Sequence, residues 1–164
     1  MSITSAEYLK LLKQAIAYRR AKNYVSALEI LDYLHQKAPE RYAPLFLKAL
    51  CHFNLDQVYD CEQAYQKCLA EHPNRVNVRY CYALFLATLG YFRDSITQFH
   101  QCITDGHDTH DLHFHLAGAY FQLDNFESAR KHFLISLRRR LTWDGVVMLF
   151  KVYEILFLRK IFGE

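Results

Sequence analysis

Small and bulky apolar residues recur along the chain at a constant interval of 34 residues. Pro39 and Pro73 stand one interval apart, and each follows an apolar stretch with helical spacing. Five further columns keep this register through four intervals: Ala15, Ala49, Ala83 and Ala117; Tyr24, Val58, Phe92 and Phe126; Ala27, Cys61, Ser95 and Ala129; Leu31, Tyr65, Phe99 and Phe133; Leu34, Cys68, Cys102 and Ser136. A fixed interval of this length predicts a stack of similar structural units.

The alternation between small and bulky columns predicts how each unit folds. Ala, Gly, Ser or Cys is needed where two helices cross closely, and a bulky neighbour fills the remaining space. Each unit is therefore expected to form two antiparallel helices, and neighbouring pairs must stack because one pair cannot bury its own apolar face. The predicted units are 8–41, 42–75, 76–109 and 110–143, without an insertion.

Polar residues, glycine and proline mark the predicted ends of these helices. The turns within the pairs fall where Asn, Asp and Gly tolerate left-handed or capping backbone, at Lys22-Asn23, Asp56-Gln57, Leu89-Gly90 and Asp124-Asn125. Between units the helix is expected to break at Ala38-Pro39, His72-Pro73 and Asp105-Gly106.

The interval and its small-and-bulky code resemble the tetratricopeptide repeat (TPR). The residues that carry the resemblance are, unit by unit, Leu11, Ala15, Tyr18, Tyr24, Ala27, Leu31 and Pro39; Leu45, Ala49, Val58, Cys61, Tyr65, Cys68 and Pro73; Tyr82, Ala83, Gly90, Phe92, Ser95, Phe99 and Cys102; Leu116, Ala117, Tyr120, Phe126, Ala129 and Phe133. Units three and four lack the final proline, and His52 and Leu86 stand where the family often has tyrosine. The resemblance spans residues 8–143 and implies an all-α fold, a right-handed superhelical solenoid of four TPR helix pairs plus a C-terminal capping helix.

In such a superhelix, the first helix of each pair lines a concave groove. The fifth, ninth and twelfth positions of the units point into it: Leu12, Ile16, Arg19, Phe46, Leu50, Phe53, Tyr80, Leu84, Ala87, Phe114, Gly118 and Phe121. The stripe is apolar and aromatic, and an exposed apolar patch usually marks a binding site. We predict that the groove binds an apolar or amphipathic segment of a partner protein, as a peptide or a helix. Two alternatives are a groove filled by the chain's own N-terminus or C-terminal helix, and a stripe displaced by one residue.

Two specialised uses of the fold differ in how well the chain matches them. Some relatives clamp the acidic tail of a heat-shock chaperone with Lys, Asn and Arg, but the corresponding residues here are Leu12, Ile16, Leu47, Asn77 and Cys81. In its length, its apolar groove and its lack of this clamp, the chain resembles type III secretion chaperones of the translocator class, which hold hydrophobic export substrates. That resemblance implies a secretion chaperone, and a structural scaffold or adaptor subunit of a larger assembly is the alternative.

The segment 144–164 is predicted to form a further helix, with Asp144 as its N-cap. A helix at this place covers the exposed end of the array. It is apolar on more than one face, so it could also pair with a second copy in a homodimer, or lie on a membrane interface beside Arg138-Arg139-Arg140 and Lys160. Its most apolar stretch, Val146–Phe162, contains four charged residues and falls short of a membrane span.

Composition and charge narrow the classes of function. The net charge is +3 without a long basic block, so no nucleic-acid partner is expected. With 52% hydrophobic residues, 5 Gly and 3 Pro, the chain is neither disordered nor a turn-rich β-protein. Five cysteines without a CxxC pair favour a reducing compartment, and the N-terminus lacks a signal-peptide pattern, so we expect a cytoplasmic protein.

Only one local group of residues has side chains suited to metals. It comprises His107, His110, His113 and His115 together with Asp105, Asp108 and Asp111. His113 and His115 are two residues apart and point to different sides of one helix, so we interpret the group as solvated histidines and expect no metal site. The cysteines stand in small-residue columns or on first helices and act as compact hydrophobes. No nucleophile, phosphate-loop or paired-carboxylate motif stands out, so neither an enzyme nor a cofactor is predicted.

Overall fold

The computed structural model describes residues 3–162, and within them the chain is an all-α helical repeat of the solenoid class, without a strand. The helices are α1 (Ser5–Arg20), α2 (Tyr24–Lys37), α3 (Ala43–Asn54), α4 (Val58–Glu71), α5 (Val76–Thr88), α6 (Phe92–Thr104), α7 (His110–Gln122), α8 (Phe126–Arg139) and α9 (Trp143–Phe162). They divide between two compact units. The N-terminal unit ends at Val78 and the C-terminal unit begins at Arg79.

The turns within the helix pairs occur where the sequence predicts them. Each contains one residue with positive φ, and these residues follow the interval of the repeat: Lys22 at 59°, Asp56 at 56°, Gly90 at 83° and Asp124 at 56°. The turn between α6 and α7 has Gly106 at 87°. Before the predicted Ala-Pro and His-Pro breaks, α2 ends at Lys37 and α4 ends at Glu71.

The N-terminal unit buries its small-residue columns between α1, α2 and α3. Ala15, Ala27, Leu31 and Cys51 form one cluster, against which Leu12 and other half-buried apolar side chains pack. Because alanine lets the helix axes approach, the neighbouring leucines can fill the space between them, as the pattern predicted.

The C-terminal unit builds its core from α7, α8 and the inner face of α9. The fully buried or nearly buried members are Ala117, Phe126, Ala129, Phe133 and Val152. Around them pack half-buried residues of α7 and α9, namely Phe114, Tyr120, Phe121, Met148, Leu149, Ile155 and Leu156. The last helix is therefore an integral part of the core of this unit.

The start of α9 differs from the prediction. Trp143 is the first helical residue, and the Thr142 hydroxyl accepts a hydrogen bond from the Gly145 amide at 3.3 Å. The prediction that Asp144 is the N-cap is therefore wrong, because the threonine hydroxyl two positions earlier already fills that role. Asp144 lies instead in the first turn, where the helix dipole favours a carboxylate. Within residues 3–162, no helix is both long and apolar enough to cross a membrane.

Candidate functional site

Six of the predicted groove residues lie together on α1 and α3 of the N-terminal unit. We name this surface the α1–α3 face; its residues are Leu12, Ile16, Arg19, Phe46, Leu50 and Phe53. The two helices contact each other directly. Phe53 is 44% exposed and the other five side chains are half-buried, so each contributes surface to solvent. Phe46 rests with its ring 6.4 Å from that of Tyr65.

One charged group interrupts the α1–α3 face. The Nε atom of Arg19 is buried and has no hydrogen-bond partner among residues 3–162. The guanidinium also lies near Cys51, where burial raises the pKa of the thiol and Arg19 opposes that shift. This end of an otherwise apolar surface therefore carries a positive charge, and the half-buried guanidinium can pair with a carboxylate.

The remaining predicted positions form a second surface, on α5 and α7 of the C-terminal unit. This α5–α7 face contains Tyr80, Leu84, Ala87, Phe114, Gly118 and Phe121, all half-buried. The Tyr80 ring lies 5.3 Å from the His107 ring and 6.3 Å from the His115 ring, and so connects the two helices. Burial, and secondarily Asp111, raises the pKa of Tyr80 to about 12, so its hydroxyl stays neutral.

Two aromatic residues of the α5–α7 face also support the fold. The Phe114 ring meets Phe133 at 5.7 Å, and the Phe121 ring meets Phe126 at 5.3 Å, both edge-on. These contacts belong to the core cluster that contains Val152 of α9. Leu84 is therefore the more suitable position at which to alter this surface without damaging the core.

A hydrogen-bonded histidine pair lies in the core of the C-terminal unit and corrects one interpretation made from the sequence. His113 is 4% exposed, so the prediction that it is a solvated histidine is wrong. Its Nε2 lies 2.7 Å from the Asp108 carboxylate, and its Nδ1 lies 2.9 Å from Nδ1 of His132. With its proton on Nε2, His113 donates to Asp108 and accepts from His132. Arg139 donates in turn to Asp108.

Aromatic rings pack around this pair. His132 stacks on His113 at 5.1 Å and on Tyr120 at 5.6 Å, and His100 donates to or accepts from the Tyr120 hydroxyl at 2.8 Å. Burial lowers the pKa of His132 to about 4, with His113, His100 and Lys131 adding to the effect. His132 is therefore neutral near pH 7, and the arrangement stabilises the core.

The signal for this pair was present in the sequence. His113 and His132 hold the fourth and twenty-third positions of the fourth 34-residue repeat, 110–143. The third repeat, 76–109, has Arg79 and Gln98 at these positions. Arg79 donates to Gln98 at 3.0 Å, so both polar pairs meet across their helix pair. Reading those two columns together would have predicted the contact.

Three of the cysteines in the small-residue columns are buried in the described part of the chain. Burial raises the pKa of Cys61 to about 12 and of Cys68 and Cys102 to about 11, which keeps these thiols protonated and weakly nucleophilic. Across residues 3–162, no group of three or more His, Cys, Asp or Glu side chains could hold a metal ion.

Comparisons with solved structures identify the fold. MamA AMB-1 superimposes with a TM-score of 0.77 at 16% identity, covering 93% of this chain and 84% of MamA. MamA 41-end from Desulfovibrio magneticus RS-1 gives 0.73 at 14% identity, covering 90% and 94%. A thermophilic TPR protein of Thermus thermophilus gives 0.68 at 14% identity, covering 91% and 82%. At these identities the likeness concerns the fold.

The family comparison gives a closer assignment. Residues 20–102, about half of the chain, match the family model described as anaphase-promoting complex, cyclosome, subunit 3 (ANAPC3). Among curated proteins no sequence matches. Repeat proteins of the TPR type are generally interaction modules without enzymatic activity, and with its solenoid fold this chain is a protein–protein interaction module. The chain belongs to the ANAPC3 family and is a tetratricopeptide-repeat protein.

Proposed function

We propose that the chain binds an apolar or amphipathic segment of a partner protein on its α1–α3 and α5–α7 faces. The observation that carries this proposal is the row of half-buried aliphatic and aromatic side chains on the first helices of the pairs. In the N-terminal unit it includes Phe53, which is exposed although it is a large aromatic residue. A partner that covers these side chains gains about 25 cal/mol for each Å² of apolar surface removed from water.

Arg19 adds a chemical preference to the α1–α3 face. Its guanidinium is half-buried and positively charged, and hydrogen bonds between a guanidinium and a carboxylate are stronger than neutral ones. A partner segment with an Asp or Glu beside its apolar residues would pair with this guanidinium. We therefore expect acidic amphipathic segments to bind more tightly than neutral ones of the same hydrophobicity.

The specific biological form that we favour is a chaperone that holds a hydrophobic export substrate, as the type III secretion chaperones do. The apolar faces and the missing carboxylate clamp support it. Such a chaperone keeps an otherwise insoluble polypeptide in solution at a ratio of one to one and then releases it.

A scaffold or adaptor subunit is the second candidate, and the family assignment favours it. The ANAPC3 family is named for a subunit of a large complex. In that case the same faces would hold a neighbouring subunit in a lasting complex. Release of the bound chain therefore distinguishes the two candidates.

The binding faces can be tested with peptides selected on the intact chain from a display library. We expect the selected peptides to carry aromatic or aliphatic residues at helical spacing, with an acidic residue among them. Phe53→Asp and Leu84→Lys should each weaken their binding at least about tenfold. Arg19→Met should weaken the acidic peptides more than their Glu→Gln versions.

Tyr59→Asp is the matched control, because Tyr59 is an exposed aromatic residue on the second helix of a pair, at α4. It should leave peptide binding unchanged, and circular dichroism should confirm that every variant is folded. Peptides that bind the Phe53 and Leu84 variants as well as the original chain would refute the two faces as binding sites.

A further inference from the structure

The helix α9 is apolar on two opposite faces, and the C-terminal unit uses only one of them. Its inner face packs into the core through Val152 and its neighbours. Its outer face carries large apolar side chains in water: Trp143 is 79% exposed, Phe150 is 71% exposed and Phe157 is 64% exposed. Surface of this kind on a folded chain marks an interaction site.

The outer residues follow a heptad pattern. Trp143, Val147, Phe150, Glu154, Phe157 and Ile161 are spaced by 4, 3, 4, 3 and 4 residues, and we name them the outer seam. This spacing is the one that keeps a single stripe facing a partner helix of similar length along the whole interface. A flat or irregular partner surface would not require it.

One charge within the seam indicates which partner helix fits. Glu154 stands near the middle of the seam, and Lys151 lies beside it, one turn earlier. Neither residue has an ion-pair partner within the described part of the chain. A carboxylate in the middle of an apolar stripe disfavours insertion into lipid and calls for a cation on the facing surface.

We infer that the outer seam pairs with that of a second copy of the chain, as two antiparallel α9 helices related by a twofold axis. The outer seam is symmetric about residue 152, and with the axis at that residue Glu154 of each copy lies within about 1.5 Å, one residue's rise, of the level of Lys151 of the other. A parallel pair would instead place Glu154 against Glu154. The charge pattern therefore selects the antiparallel dimer.

The available apolar surface is sufficient for such a dimer. With about 200 Å² for each buried aromatic side chain, the exposed parts of Trp143, Phe150 and Phe157 supply about 400 Å² per copy. Val147, Leu158 and Ile161 add to this, so the two copies together exceed the roughly 1,000 Å² that a specific interface needs.

Sedimentation velocity on the full chain tests the inference, at concentrations from about 1 to 100 µM. The original chain should form dimers, and Phe150→Asp combined with Phe157→Asp should make it monomeric. Both side chains are exposed, so the fold should survive, as circular dichroism can verify. Tyr59→Asp, an exposed aromatic residue on α4, should not affect association.

Charge reversal tests the antiparallel register. Glu154→Lys and Lys151→Glu should each raise the dissociation constant about tenfold, because each dimer contains two such pairs, and the double variant should restore dimerisation. A chain that is monomeric at all concentrations, or a dimer indifferent to the Phe150 and Phe157 changes, overturns the inference. So does a double variant that is as weak as the single ones, since the copies would then pair in another register.

Vesicles of phosphatidylcholine and phosphatidylserine test whether the outer seam binds a lipid surface instead of a second copy. We expect no binding of the chain to them. Vesicle binding that depends on Phe150 and Phe157, by a chain that stays monomeric, would assign the seam to a lipid surface and overturn the dimer. None of these results depends on the proposed peptide-binding faces.

Discussion

The N-terminal unit has apolar residues at a pair of facing positions of the repeat where the C-terminal unit has polar residues. The fourth and twenty-third positions of the repeat are Leu11 with Ile30 and Leu45 with Ala64 in the N-terminal unit. In the C-terminal unit they are Arg79 with Gln98 and His113 with His132, and each pair is hydrogen-bonded. The repeat thus fixes the geometry of the contact but leaves its polarity open, provided that both partners change together.

This difference extends to the rest of the buried residues. All the buried serine and histidine side chains among residues 3–162, Ser95, His113, His132 and Ser136, belong to the C-terminal unit. Each has a hydrogen-bond partner; for example, the Ser95 hydroxyl donates to the Ala83 carbonyl at 2.8 Å. Polar groups cost little in a core when they are paired and several kcal/mol when they are not. The C-terminal unit therefore depends on its hydrogen bonds where the N-terminal unit depends on apolar contact.

Lowering the pH should produce the largest difference in stability between the two units. The pKa of His132 is about 4 in the folded chain, below the ordinary value of 6.5, so the unfolded chain takes up a proton first as the pH falls. The stability that depends on neutral His132 is complete above pH 6.5 and is lost between pH 6.5 and pH 4. The loss should reach about 3 kcal/mol, at about 1.4 kcal/mol for each pH unit. Hydrogen exchange should show it in α7 and α8.

A double variant provides the control for acid sensitivity. His113→Leu with His132→Ile copies the Leu11 and Ile30 pair and removes both polar partners together, which should be close to neutral at pH 7. It should also abolish most of the loss between pH 6.5 and pH 4. If α7 and α8 of this variant open at low pH as readily as in the original chain, the histidine pair is not the cause.

The C-terminal unit also differs from the N-terminal unit in having a helix, α9, in addition to its helix pairs. Val152 is fully buried, and Val152→Ala should lower the free energy of unfolding by about 2 kcal/mol because it leaves a cavity against Phe133 and its neighbours. Urea denaturation followed by circular dichroism measures this loss. The matched change Val25→Ala, at an exposed position on α2, should stay within about 0.5 kcal/mol. Equal effects of the two changes would mean that α9 contributes nothing to the core.

The sequence could predict the repeat but not every contact that it makes. The alanine columns and the turns at Lys22, Asp56, Gly90 and Asp124 follow from packing and backbone rules that act at fixed positions, and the structure confirms them. The burial of His113 follows only when its column is read together with that of His132, which is 19 residues away, on the opposite helix of the pair. The sequence indicates the outer seam of α9 only as excess apolar surface, since its role depends on which face the core uses.

The smallest predicted effect on stability comes from the turns within the helix pairs. At the turn positions with positive φ, the N-terminal unit has Lys22 and Asp56, and the C-terminal unit has Gly90 and Asp124. Lys22 in the N-terminal unit and Gly90 in the C-terminal unit hold the same position of the repeat, and both have positive φ. Left-handed backbone is costly for a side chain with a Cβ atom and free for glycine. Lys22→Gly should therefore raise the free energy of unfolding by up to about 1 kcal/mol, and Gly90→Lys should lower it by a similar amount.

Lys22→Ala separates backbone strain from the loss of the lysine side chain, since alanine keeps the strain and should bring no gain. A Cβ atom at Gly90 would meet nothing within 4 Å, so a loss there can only come from the backbone. Equal stabilities for all four chains in urea would mean that the repeat relaxes each turn around its residue, and that the two units do not differ at this position.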